Sequence, residues 1–169
     1  MENFKVRPQL GFGEALKLAS GRLTDFNGRS RRSEFWWFML VAIIANIIFG
    51  LILMAFPAAS QIVSIIILLC CLGLTVRRLH DTGKSGIWVY VSFIAGIAYS
   101  MYFTFSGIAN EMTSVNADPT TALKMLFNPV LGILGLINLV SSLCVIIFCI
   151  LDGKPETNKY GESPKYYVE

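Results

Sequence analysis

Between Phe35 and Val76 the chain carries no Asp, Glu, Lys, Arg or His across 42 consecutive positions, and this run limits the fold more than any other feature. As a single helix it would extend about 63 Å at 1.5 Å per residue, roughly twice the hydrocarbon thickness of a bilayer. It has to turn back, and its turn-forming cluster is Pro57-Ala58-Ala59-Ser60-Gln61. The spacing predicts one span over about 36–56 and a second over about 61–76, a helical hairpin. Composition agrees with a lipid environment. Hydrophobic residues make up 54% of the 169 and charged residues 15%, with a mean hydropathy of +0.61, whereas soluble domains carry about 25% charged residues. The same figures exclude disorder, collagen-like repeats and a disulfide-stapled secreted module.

A second charge-free stretch, Ser85 to Asn110, has Trp88, Tyr90, Tyr99 and Tyr102 towards its ends, where amphipathic rings favour the interface. It predicts a third span over about 87–109. The last stretch, Met125 to Leu151, is broken near its start by Asn128-Pro129 and predicts a fourth span over about 130–151. The expected fold is an all-α integral membrane protein: a leader over 1–34, a four-helix transmembrane domain over 35–151 and a tail over 152–169. Span two is short, and Arg77 and Arg78 are expected to lengthen it by sending their charges to the headgroups.

Basic residues are retained on the cytoplasmic side. Lys5, Arg7, Lys17, Arg22, Arg29, Arg31 and Arg32 precede span one, Arg77, Arg78 and Lys84 lie between spans two and three, and Lys154, Lys159 and Lys165 follow span four. Against these thirteen, the opposite side holds only Lys124. Both termini are expected in the cytoplasm. The first apolar run begins at Phe35 behind a polar leader, so span one is expected to act as an uncleaved anchor.

Within the leader, Phe12, Ala15, Leu16, Ala19 and Leu23 recur at helical spacing opposite Glu14, Lys17 and Arg22, which predicts a short amphipathic helix on the membrane surface. A second interfacial helix is expected after Asp118-Pro119, with Ala122, Leu123, Leu126 and Phe127 on its apolar face. Inside the spans the polar inventory is thin. Asn46 and Asn138, with Ser141 and Ser142 beside the latter, read as interhelical hydrogen-bonding groups, and Ser92, Gly96 and Ser100 form a small-residue stripe suited to close helix approach. Cys70, Cys71, Cys144 and Cys149 fall inside spans without metal-ligand spacing. No metal, cofactor or nucleic-acid partner is expected.

Chemistry concentrates in the motifs flanking the spans. In RRLHDTGKSG, Arg77 to Gly86, a phosphate-loop reading of Gly83-Lys84-Ser85 fails, because that pattern needs Gly where Arg78 stands. Arg77, Arg78 and Lys84 instead suit an anionic phosphate at headgroup level. His80 and Asp81 are neighbours that do not face each other on a helix, so the expectation is that Asp81 pairs with an arginine and His80 packs, with no catalytic residue assigned. In NGRSRRSEFWW, Arg29, Arg31 and Arg32 stand beside Glu34 and two tryptophans.

Taken together, DFNGRSRRSEFWWF (25–38), VRRLHDTGKSGIW (76–88) and NKYGESP (158–164) resemble the bacterial domain-of-unknown-function 805 family of small inner-membrane proteins. The resemblance covers nearly the whole chain. It implies a multi-pass protein of the bacterial inner membrane and no particular activity. The favoured reading is a non-enzymatic module whose basic cytoplasmic face, drawn from Arg29, Arg31, Arg32, Glu34, Arg77, Arg78, His80, Asp81, Lys84, Asn158 and Tyr160, binds anionic lipid headgroups or a partner protein, a second copy of the chain included. A small-solute or ion carrier acting as an oligomer ranks next, and a lipid-modifying enzyme using His80 and Asp81 third. Five arginines at one surface, with Glu34 and Asp81 as the local carboxylates, are expected to need phosphates for neutralisation.

Overall fold

Four apolar helices of spanning length organise the chain. The computed structural model describes residues 4–113 and 120–169, and the elements in order are β1 (Phe4–Val6), α1 (Phe12–Ser20), α2 (Arg32–Ile52), α3 (Pro57–Asp81), α4 (Ile87–Phe105), α5 (Ile108–Thr113), α6 (Thr121–Leu126), α7 (Pro129–Ile150) and β2 (Tyr166–Val168). Helices α2, α3, α4 and α7 are each long and apolar enough to cross a membrane. Their outward side chains are mostly Ile, Leu, Val and Phe, as a lipid-facing surface requires.

The hairpin turn falls earlier than the sequence suggests. Pro57 opens α3 instead of standing in the turn, because a residue without an N–H and with fixed φ suits the first helical position. Helix α2 accordingly ends at Ile52, with the turn over 53–56, and it begins at Arg32, ahead of the expected Trp36. Helix α3 runs past the expected end at Val76 through Arg77 and Arg78 to Asp81. It stops in a Schellman motif: Gly83 N–H bonds the His80 carbonyl at 3.0 Å and Lys84 N–H the Leu79 carbonyl at 2.9 Å, with Gly83 at φ +77°.

The chain divides into two units, residues 1–86 with 147–169, and residues 87–146. In the first, α1 packs on α2, and Ala15 and Ala19 are fully buried. The helix is shorter than the expected apolar repeat, ending at Ser20, and Phe12 stays half exposed with its ring edge-on to Trp37 at 5.3 Å. Beyond it the leader runs across α3, where a Cβ at Gly73 would stand 2.5 Å from the Leu23 carbonyl oxygen. Strands β1 and β2 pair antiparallel, Lys5 opposite Tyr167, joining the two ends of the chain. This pairing is absent from the sequence reading, since three residues are too few for a recognisable alternation.

In the second unit, α4 and the α7 residues up to Ile146 meet through polar groups. Asn138 Nδ2 donates to the Ser92 carbonyl at 3.0 Å, and the Ser92 and Ser142 hydroxyls are 2.8 Å apart. Gly96 permits the approach, for a Cβ there would lie 2.9 Å from Asn138 Nδ2. The expected interhelical role of Asn138 is therefore present, as is that of Ser92 and Gly96 in the small-residue stripe, while the Ser100 carbonyl accepts from Thr104 Oγ1 within α4. Asn128 caps α7 through Oδ1, which accepts from Val130 and Leu131 N–H at 3.0 and 3.1 Å. Helix α4 ends at Phe105, short of the expected 109, and α6 begins at Thr121; the expected start at Asp118-Pro119 lies outside the described residues. Asn46 is half-buried on α2.

Candidate functional site: a buried arginine cluster

All three motifs meet in the first unit, at the start of α2, the end of α3 and the segment after α7. Turn chemistry prepares the first. Gly28, at φ +81°, takes a conformation that costs glycine little and turns its carbonyl to His80 Nδ1 at 3.2 Å. A carbonyl can only accept, so Nδ1 carries the proton. Ser30 follows, its N–H bonded to the Arg77 carbonyl at 3.2 Å.

Arg29 reaches across the cluster. Its Nε donates to Asp81 Oδ1 at 2.9 Å, and its Nη1 to the Glu156 and Gly161 carbonyls at 2.9 and 3.2 Å. Nη2 bonds the carbonyls of Asp81 and Lys154. Arg78 holds the other oxygen of the same carboxylate, Nη1 to Asp81 Oδ2 at 2.5 Å, while Nε and Nη2 donate to the Cys149 and Leu151 carbonyls. Those two belong to the end of α7, where helix carbonyls lack intrahelical partners. One carboxylate thus bridges two guanidinium groups, and both arginines close off exposed backbone.

Arg77 serves the leader. Its Nε donates to Ser30 Oγ at 3.0 Å and its Nη1 to the carbonyls of Arg22 and Asp25. Its Nη2 lies 3.6 Å from Glu34 Oε1, and Ser30 Oγ donates to that oxygen at 3.1 Å. Among the described residues this Nη2 has no hydrogen-bond partner. Arg31 donates to the Pro8 and Arg7 carbonyls at 2.6 and 3.0 Å. Arg77 and Arg78 are 0% exposed and Asp81 1%.

The tail closes the cluster. The Tyr160 ring stacks on His80 with centroids 3.6 Å apart and planes 4° from parallel, and Asn158 Nδ2 donates to the His80 carbonyl at 2.9 Å. Asn158 Oδ1 accepts the Tyr160 N–H at 2.8 Å, a side-chain turn that sets the ring against the imidazole. Lys154 N–H bonds the Asp81 carbonyl at 3.0 Å. Gly153 is enclosed; a Cβ there would overlap the Asp81 carboxylate.

Two expectations change. Arg77 and Arg78 turn into the protein, where Ser30, Asp81 and backbone carbonyls accept their hydrogen bonds. Nor do Arg29, Arg77 and Arg78 need phosphates for company, since backbone carbonyls together with Glu34 and Asp81 surround them. Sequence reasoning missed these partners because a carbonyl is carried by every residue and leaves no mark in composition. It missed Gly153 for the same reason, although a glycine right after an apolar span is a hint of close approach. Arg32 and Lys84 remain at the surface. Arg32 is 3.6 Å from Asp152, and Lys84 Nζ stands 5.2 Å above the Phe148 ring. Lys165 also pairs with Asp152, at 2.9 Å, and this hydrogen bond holds the Asp152 carboxyl below its ordinary value. No group of three or more His, Cys, Asp or Glu able to hold a metal occurs among the described residues.

Residues 23–162 match the family model described as Protein of unknown function (DUF805). The inner membrane protein YhaI of Escherichia coli strain K12 is 36% identical over 84 residues, covering 47% of this chain and 71% of that protein. The inner membrane protein YhaH of the same strain is 33% identical over 89 residues, covering 48% and 74%. No solved structure matches. On the extent of the family match, which takes in all three motifs but the last two residues of the third, this membrane protein belongs to the DUF805 family.

Proposed function

We propose that the chain is a non-enzymatic module of the bacterial inner membrane, with both termini cytoplasmic, whose basic cytoplasmic face recruits anionic lipid headgroups. The orientation rests on the thirteen-to-one distribution of Lys and Arg. One observation supports the reading: the cluster separates its cations into two sets. Arg29, Arg77 and Arg78 are buried and bonded internally, while Lys84, Lys154 and Lys159 are exposed around the same end of α3. Among the described residues none of these three lysines pairs with a carboxylate. The arginines are the frame, and the lysines carry the charge that faces lipid, worth about 1 kcal/mol per residue near an anionic surface. A lipid-modifying role for His80 and Asp81 has little to work with, because the ring is stacked on Tyr160 and the carboxylate is shared by two arginines.

The test is lipid retention. Purified protein carrying Lys84→Gln, Lys154→Gln and Lys159→Gln should keep its fold and lose co-purifying anionic lipid, with the loss mimicked by salt in the unaltered protein. Undiminished retention in the triple variant would overturn the reading. Reporter fusions after Lys84 and after Ala117 should report opposite sides of the membrane.

A further inference from the structure

Two cavities of the first unit adjoin along the start of α2. The upper, about 420 Å³, is lined by Arg31, Arg32, Asp152 and Lys165 among others. The lower, about 330 Å³, is lined by Trp36, Trp37, Met39, Leu40 and Ile43. Trp36 and Trp37 wall both. Positions 32, 36, 40 and 43 fall on one face of a helix, so a single stripe runs from a cationic mouth, past two tryptophans, into an apolar groove. That is the order of chemistry met on passing from the headgroup to the acyl region of a bilayer leaflet.

The charges at the mouth do not balance. Lys165 Nζ is 2.9 Å and Arg32 Nη1 3.6 Å from Asp152, so one carboxylate serves two cations. Among the described residues the Arg31 guanidinium, 8% exposed as a residue, is hydrogen-bonded only to the neutral carbonyls of Pro8 and Arg7. Three cations against one carboxylate leave room for negative charge at the top of a groove that is otherwise hydrocarbon.

We infer that this cleft is a seat for one glycerophospholipid with an anionic headgroup: its phosphodiester lies between Arg32 and Lys165, and an acyl chain follows Trp36, Leu40 and Ile43. The inference rests on the headgroup-binding reading above and gives it a defined position, apart from the lysines at the end of α3. The seat discriminates by two requirements at once. A phosphate without a chain leaves the groove empty, and a chain without a phosphate leaves the cations unmatched.

The full chain carrying Trp88→Phe, whose remaining tryptophans are then Trp36 and Trp37, can be titrated in nonionic detergent with phosphatidylglycerol brominated on its chains. Bromine quenches indole fluorescence at short range, so the expected result is saturable quenching. Adding Arg32→Gln and Lys165→Gln should weaken the midpoint about 30-fold. Ile43→Phe, which fills the groove and leaves the mouth intact, should weaken it as well and keeps the test decisive if the double variant folds poorly. Brominated diacylglycerol should not saturate, and inorganic phosphate should not displace the lipid. Unchanged quenching in both variants, saturation by diacylglycerol, or displacement by phosphate alone would each overturn the seat. The triple lysine variant should titrate normally. If it alone loses binding, the surface reading stands and the seat falls.

Discussion

The two units of this protein use opposite means to hold helices together. In residues 87–146 the cohesion is that of a membrane helix pair: small residues for approach, and the short polar contacts of Asn138, Ser92 and Ser142. In the other unit, chain segments far apart in sequence converge on Arg29, Arg77, Arg78, Glu34 and Asp81, all buried. Lipid-facing helices gain little from apolar burial against each other, so polar contacts decide their fit. At the membrane edge, loops and helix ends expose carbonyls that water would otherwise serve, and arginine, with five donors in a fixed fork, can satisfy several at once. The first unit thus gains specificity at a high desolvation cost, and it should be correspondingly intolerant of losing one partner.

That asymmetry orders the expected effects of substitution. The largest belongs to Asp81→Asn, which leaves Arg29 and Arg78 buried without their carboxylate and should cost about 3–5 kcal/mol in unfolding measured in detergent. Next comes Gly153→Ala, whose methyl group competes with the Asp81 carboxylate for space and should cost about 1–3 kcal/mol. Gly50→Ala, at a position of the same unit open to addition, should be neutral or better. In the other unit, Asn138→Leu should cost only about 0.6–2 kcal/mol. An Asn138 effect as large as that of Asp81 would erase the distinction between the units.

The smallest effect is acid sensitivity at the tail. Asp152 has a folded pKa lowered by its hydrogen bond to Lys165 and by Arg32, so its contribution is fully present above the ordinary carboxylate value and is lost as pH falls through the lower folded one. Because it is half exposed, the change should be slight, and Asp152→Asn should remove it from the pH profile of stability.

How far the sequence foretells this depends on the physical signal. Charge-free runs state hydrophobic length directly, so all four helices were legible, and both ends of α3 moved where local chemistry intervened, at Pro57 and at Asp81. The convergence of the three motifs was legible too, from the charge asymmetry that put them on one side. What Arg77 and Arg78 touch was not. Basic residues at a span's end have the same sequence signature whether they reach for phosphate or for a neighbouring carbonyl, and the choice depends on the Arg22–Asp25 and Cys149–Leu151 backbones coming within reach. The β1–β2 pairing was equally hidden, since it joins segments more than 150 residues apart.

The separation between framing arginines and surface cations can be measured by chemical modification. The folded protein in detergent would be treated with phenylglyoxal, which attacks accessible guanidinium groups, and each arginine quantified by mass spectrometry. Arg22 and Arg32, both exposed, should react readily, while Arg29, Arg77 and Arg78 should stay protected until the protein is denatured. Modification of Arg77 and Arg78 at the rate of Arg22 in the folded protein would contradict the account.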